Sequence, residues 1–252
     1  MKPDFAKFST EDKAKMEEIT GIPAKAMIEQ AGLLPTLPQN AVVLDNACGS
    51  GLVASLLFDA AGKDAVRVVC SDLEEYMVKS AAERIEKNGW NAEVKVADAQ
   101  ALPFADNHFT HVLMNFAIQM IPDKELAFKE SLRVLKQGGK LGFTVWTEPG
   151  WLESMKAGVP SYVPPPMFFG PLVSPESVKN ILTSVGFTAV DVQSIVFQHT
   201  DDMGKFVEYM KRLFGEMLAG EKGEGWERYM KERYGEGDFT LTWKADIVTA
   251  QK

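Results

Sequence analysis

Short apolar runs rich in β-branched residues alternate along this chain with stretches of helical period, and each run stops at a polar turn. Ala41 to Leu44, Val66 to Cys70, Val94 to Ala97, His111 to Phe116 and Lys140 to Trp146 are read as five strands. His111 to Phe116 is nearly all apolar, the pattern of a strand covered on both faces. Between the runs lie three predicted helices, Leu52 to Ala61, Glu74 to Lys87 and Lys124 to Leu135. The second carries Tyr76, Met77, Ala81 and Ile85 on a helical period, and the third is closed by Lys136-Gln137-Gly138-Gly139. Strands alternating with helices predict a mostly parallel, doubly wound α/β sheet with right-handed crossovers.

The flanks read differently. Thr10 to Leu34 has Met16, Ile19, Ile22, Ala26, Met27 and Ala31 at helical spacing, and helices broken near Gly21-Ile22-Pro23 are expected, ending before Pro35 and Pro38. Gly150 to Pro171 is rich in proline, glycine and aromatics and is read as a lid or pocket insertion. Ser174-Pro175-Glu176 has the form of a helix start, with Ser174 as N-cap, leading to Val185 and Gly186. Val190 to Phe197 and Thr240 to Thr249 are two further strands, making seven, and they flank a helix over Gly204 to Leu218. Gly220 to Gly225 is read as an exposed loop before a helix from Trp226 to Tyr234. No repeat or linker divides the chain, so a single domain over 1–252 is expected: a helical cap at 1–38, a core at 42–146, and an insertion with C-terminal strands at 147–252.

Composition narrows the class of partner. The 252 residues include 27 Lys plus Arg against 35 Asp plus Glu, a formal charge of −8, which disfavours nucleic acid and anionic membranes. A small-molecule partner is expected. Cys48 and Cys70 are too few for a zinc site, so no metal centre is expected, and they suit a reducing compartment. No segment offers about 18 consecutive apolar residues, and a cytoplasmic protein is expected.

Candidate chemistry centres on the loop Asp45-Asn46-Ala47-Cys48-Gly49-Ser50-Gly51 after the first strand. Ala47, Gly49 and Gly51 would let the backbone approach a ligand where bulkier residues would collide, and glycine permits positive φ. Asp72 closes the second strand, 27 residues after Asp45, where a carboxylate can accept bonds from ribose hydroxyls, although a helix N-cap would use the same residue. A nicotinamide-dependent oxidoreductase shares this pattern. Against it, the turn lacks the full G-x-G-x-x-G spacing, with Ala47 and Ala54 at two of the glycine positions. Asp45 within the loop would repel a pyrophosphate but could accept a bond from an ammonium group. Asp98-Ala99, after the third strand, can accept the amino group of an adenine.

Hydrophobic-Asp-x-x-Cys-Gly-x-Gly, an acid after strand two, Asp-Ala after strand three and the Leu-Lys-x-Gly-Gly-Lys-Leu hairpin into strand five together resemble the class I S-adenosylmethionine-dependent methyltransferases of the ubiquinone-biosynthesis type. The landmarks cover about Val42 to Trp146. Val43 to Gly49, Thr110-His111-Val112 and Phe116-x-x-Gln119 resemble more narrowly the fungal secondary-metabolite enzymes, including gliotoxin thiomethyltransferases. The resemblance implies a Rossmann-like fold with helices on both faces of the seven-stranded sheet, and S-adenosyl-L-methionine as cofactor. It sets the methionine portion against Asp45, Ala47, Gly49 and Asn115, and counts Asn46, Cys48, Gly51 and Phe116 among the cofactor-binding residues. The ribose falls on Asp72, and the adenine among Leu73, Met77, Asp98 and Ala99. Cys48 is taken as a packing residue. A protein keeping this fold for non-methylating catalysis or binding is the other alternative.

Methyl transfer from a sulfonium is an in-line displacement that depends chiefly on positioning, so no residue is assigned a catalytic role. The acceptor pocket is expected from Gln119, Met120, Trp146, Trp151, Tyr162, Phe168 and Phe169, which suit a planar or apolar small molecule with a sulfur, nitrogen or oxygen acceptor atom. His108 and His111 stand at the strand end away from the cofactor and are read as structural, and His199 as a surface residue.

Overall fold

Residues 8–62, 66–160, 162–165, 172 and 174–252 are described by the computed structural model, in which the chain divides into two compact units. One comprises Met1–Ile19, Trp146–Phe169 and Ile195–Ala245, and the other Thr20–Val145, Gly170–Ser194 and Asp246–Lys252.

The strands, in chain order, are β1 (Val42–Asn46), β2 (Arg67–Asp72), β3 (Ala92–Val96), β4 (Phe109–Met114), β5 (Leu135–Glu148), β6 (Thr188–Asp202) and β7 (Asp238–Gln251). Among the described residues they form a seven-stranded sheet of order β3-β2-β1-β4-β5-β7-β6. The pairs β1–β2, β1–β4, β2–β3 and β4–β5 are all parallel. The connections are α2 (Leu52–Ala61), α3 (Glu75–Asn88) and α4 (Lys124–Val134), so the sequence alternation did predict a doubly wound α/β sheet. Register places Asp45 beside Cys70 on one side and Leu113 on the other, and Asp72 beside Val96. The carboxyl ends of β1, β2, β3 and β4 therefore share one edge. Strand order reverses between β1 and β4, the place where open α/β sheets bind ligands. Leu44, Val112, Phe128, Leu141 and Phe143, all fully buried, fix this edge from within the core.

Three local expectations give way. The N-terminal region is one helix, α1 (Thr10–Gln30), running through Gly21 and Pro23. An interior proline costs roughly 3 kcal/mol. Ala24, Met27 and Ile28 just beyond it are fully buried, and each large apolar side chain returns about 1.5–3 kcal/mol, so packing outweighs the break. The expected loop at 220–225 lies almost wholly within α8 (Glu221–Tyr234). One of its glycines serves close packing: a Cβ on Gly223 would stand 2.0 Å from the Leu218 carbonyl oxygen; outside this segment, a Cβ on Gly158 would stand 3.0 Å from the Trp226 Cα. Lys136 to Gly139 belongs to β5 rather than to a helix-closing turn, held there by Gly138 N–H donating to Lys252 O and Lys252 N–H to Gly139 O.

The unit containing α8 also holds α5 (Leu152–Gly158) and α7 (Met203–Phe214). Trp226, Phe206, Met210 and Met155 are fully or almost fully buried in its core. Trp226 Nε1 donates to Ser154 Oγ at 3.1 Å. The remaining helix, α6 (Pro175–Val185), starts at Ser174, whose side chain accepts from Ser177 N–H as its sequence predicts.

Candidate functional site

Asp45 is the penultimate residue of β1 and is 1% exposed. Its Oδ2 accepts a hydrogen bond from Ala54 N–H in the first turn of α2, at 3.3 Å. Burial pushes its carboxyl up to about 7; the Ala54 bond pulls the other way and the Asp72 charge adds to the rise. An anion held in so poor a solvent gains most from a cation beside it.

The loop that follows turns sharply, with Ala47 at φ +56° and Gly49 at φ +55°. Here the steric expectation is corrected. A Cβ on Gly49 would meet nothing within 4 Å, and one on Gly51 would only touch Ala81 Cβ at 3.5 Å. The backbone's left-handed conformation calls for glycine; protein packing does not, and the space over Gly49 is open. Ala47 takes the same conformation at a cost of about 1–2 kcal/mol.

Asp72 ties this loop to the end of β2. Its Oδ2 accepts from Gly49 N–H at 2.9 Å and its Oδ1 from Glu74 N–H at 3.0 Å. The N-cap of α3 is Glu74, so Asp72 is not the cap that its position allowed. Each carboxylate oxygen keeps a further lone pair for an incoming hydroxyl. Cys48 N–H donates to Ser71 O at 2.9 Å, and contact with Cys70 followed by burial raises its thiol well above the usual range, against any nucleophilic use. Asn46 is fully buried; its Oδ1 accepts from Ser71 Oγ at 3.3 Å and its Nδ2 has no partner.

Leu73 is 55% exposed beside Asp72, and Met77 is buried on α3. After β3, Asp98 Oδ1 accepts from the backbone N–H of Gln100 at 2.9 Å and from its Nε2 at 3.0 Å. Gln100 Oε1 in turn accepts from Asp123 N–H at 3.0 Å, so one side chain orients the carboxylate from the start of α4. Ala99, next to it, is buried.

Asn115 and Phe116 follow β4. Thr144 in β5 donates from Oγ1 to Asn115 Oδ1 at 2.8 Å and accepts from Phe116 N–H at 2.8 Å, while Asn115 Nδ2 donates to Thr20 O at 3.4 Å. Phe116 sits at φ +53°, a strained conformation for an aromatic residue. Gln100 and Thr144 were missed from the sequence. Thr144 did leave a signal, a lone hydroxyl in an otherwise buried apolar strand, whereas Gln100 has none until its partners are known.

Gln119 is buried and Met120 37% exposed, on a 3₁₀ turn over Ile118–Met120. In the other unit, Trp146 lies 5.3 Å from Trp243 and 6.3 Å from Phe197 between ring centroids, and Trp151 packs edge-on to Phe214 at 4.7 Å. Tyr162 packs against the same core; burial pushes its phenol up to about 12, and its hydroxyl and Trp243 Nε1 are buried without partners. Phe168 and Phe169 lie outside the described residues. His111 is buried, its Nδ1 2.9 Å from Thr110 Oγ1, and burial with the Lys140 charge lowers it to about 4. Among the described residues there is no cluster of three or more His, Cys, Asp or Glu able to hold a metal, and no helix long and apolar enough to cross a membrane.

Residues 43–139 match a family model described as a methyltransferase domain. The chain is 36% identical over 143 residues to Methyltransferase tpcH of Aspergillus fumigatus, covering 55% of this chain and 51% of that one. It is 26% identical over 267 residues to the acetylaranotin bis-thiomethyltransferase of Aspergillus terreus, covering 94% and 91%. It thus spans about half the length of the first relative and nine tenths of the second. Among solved structures it resembles phosphoethanolamine N-methyltransferase 2 of Haemonchus contortus in complex with S-adenosyl-L-methionine, with TM-score 0.58, 20% identity, and 91% of this chain and 52% of that one covered.

Proposed function

We propose that the chain is a class I S-adenosylmethionine-dependent methyltransferase, with S-adenosylmethionine as its cofactor, that it methylates a small molecule on sulfur, nitrogen or oxygen, and that the edge formed by β1, β2, β3 and β4 holds the cofactor. The observation that carries the siting is the pair Asp45 and Asp72 around the open space over Gly49. Asp45, desolvated, would hold the cofactor's ammonium group, with Asn46, Ala47, Cys48, Gly49 and Gly51 shaping the turn. Asp72 would take the ribose hydroxyls on its remaining lone pairs. Asp98 would accept the adenine amino group, with Leu73, Met77 and Ala99 as apolar walls. Asn115 and Phe116, fixed by Thr144, complete the set. Bound there, the cofactor supplies an electrophilic methyl group on a sulfonium; the chain's own contribution is position and exclusion of water. A dinucleotide is disfavoured by the charge of Asp45 within the loop.

For the acceptor, Trp146, Trp151 and Tyr162, which share one unit, are the residues we assign. The unpartnered Tyr162 hydroxyl and Trp243 Nε1 beside the aromatic groups support an apolar, planar acceptor bearing a hydrogen-bond acceptor. The fungal relatives support a secondary metabolite. We also take 1–252 to act as one cytoplasmic catalytic chain that binds neither nucleic acid nor membrane.

The test is calorimetric titration with S-adenosylmethionine and with NAD, followed by incubation with methyl-labelled cofactor and a panel of thiols, amines and phenols. Saturable cofactor binding with label transferred to a panel member is the expected result. Preference for the dinucleotide, or demethylated cofactor never forming, would overturn it.

A further inference from the structure

The unit of residues 1–19, 146–169 and 195–245 contains a cleft that methyl transfer, as described above, does not use. It encloses about 320 Å³ and lies among α1, the end of β6, the start of α7 and the start of β7. Five carboxylates line it, Glu11, Glu18, Asp201, Asp202 and Asp238, against two cations, Lys15 and Lys205. An acidic surface alone would be only solvated charge. Asp201 is different: its side chain is 96% buried, as 4% remains exposed. Lys15 satisfies its Oδ1, but its Oδ2 is buried with no hydrogen-bond partner.

A second orphan stands next to it. His199 Nε2 is also buried without a hydrogen bond, 4.0 Å from Asp201 Oδ2 and 3.9 Å from Glu18 Oε2. These gaps are about 1 Å too long for direct hydrogen bonds. They are short enough for one nitrogen to lie at about 2.8 Å from both the imidazole and the Asp201 oxygen, since 4.0 Å is less than twice that reach. In the tautomer with its proton on Nδ1, His199 Nε2 is an acceptor, and two carboxylate oxygens, Asp201 Oδ2 and Glu18 Oε2, lie 4.0 and 3.9 Å from it. An ammonium group carries three donors, and the lining offers five carboxylates against two cations.

We propose that this cleft is a binding site for a small molecule bearing an alkylammonium group, whose nitrogen is held by His199 Nε2, Asp201 Oδ2 and Glu18 Oε2. The site is independent of the methyl-transfer assignment. A divalent cation fits less well, because calcium takes about 6–8 oxygen ligands and Lys15 already occupies Asp201 Oδ1.

The probe is n-butylammonium chloride, titrated into the full chain at constant ionic strength while the imidazole resonances of its three histidines are followed by NMR, with n-butanol and magnesium chloride as controls. His199 is assigned from the spectrum of His199→Gln. The expected result is a saturable shift of His199 alone, seen with the amine and with neither control. Glu18→Gln, at an exposed position, should bind about threefold more weakly and Asp201→Asn more than about tenfold, in proportion to their burial. An equal response to butanol or magnesium, a parallel drift of all three histidines, or undiminished amine binding by Glu18→Gln and Asp201→Asn would each overturn the proposal.

Discussion

Asp45→Asn separates the two demands placed on that side chain. The amide oxygen can still accept the bond from Ala54 N–H, so the start of α2 keeps its partner, while the buried charge disappears. In the wild type the carboxyl titrates near 7 in the fold and near 3.8 when unfolded, so between those values the native state binds the extra proton. Stability must then fall as pH rises through that window, by at most about 4 kcal/mol and by about 2 kcal/mol once water entry and relaxation are allowed for. The asparagine variant lacks this loss. At a pH above 8 it should therefore unfold about 4–8 °C higher than wild type in the absence of cofactor, with the two curves converging towards pH 4. Cofactor affinity should move oppositely: wild type should tighten by up to about tenfold between pH 6 and 8 as Asp45 ionises, and the variant should bind weakly at every pH. Calorimetric scans from pH 4.5 to 8.5, with and without S-adenosylmethionine, measure both. A variant with the wild-type stability profile and the wild-type affinity would refute the reasoning at its root.

Three further outcomes follow from the same edge. Asp72→Ala removes the acceptor of Gly49 N–H as well as the proposed ribose contact, so titration calorimetry should show cofactor affinity down by about 1–3 kcal/mol. Ala47→Gly relieves a left-handed alanine and should raise thermal stability by roughly 1 kcal/mol without loss of cofactor binding; a lowered melting temperature would show that the alanine methyl is packed against something. Thr144→Val breaks both bonds that fix Asn115 and Phe116, so it should cost about 1–3 kcal/mol in stability and raise the KM for cofactor, whereas Thr144→Ser should restore both.

Much of the sheet was legible because burial on both faces imposes continuous apolar runs, and such runs survive in one-dimensional text. Lys140 to Trp146 lies within β5 for this reason, and the run expected over His111 to Phe116 overlaps β4, which covers Phe109–Met114 and ends two residues earlier. What failed was punctuation. Pro23 and the glycines of 220–225 look like breaks locally, and only the buried face of α1 and the Leu218 carbonyl against Gly223 show why a helix tolerates one and needs another. The site divides along the same line. Asp45, Asp72 and Asp98 stand at strand ends, so strand periodicity led to them. Gln100 and Thr144 act through partners 23 to 29 residues away in the chain, a separation that no local pattern encodes. The two acids nearest the open loop also explain each other. Asp72 is hydrogen-bonded twice by backbone and keeps its charge supported, while Asp45, with one long bond and less solvent, is raised in part by that neighbouring charge. A site that leaves one of two adjacent carboxylates so poorly compensated favours a ligand that brings a positive charge, and a pyrophosphate would make the deficit worse.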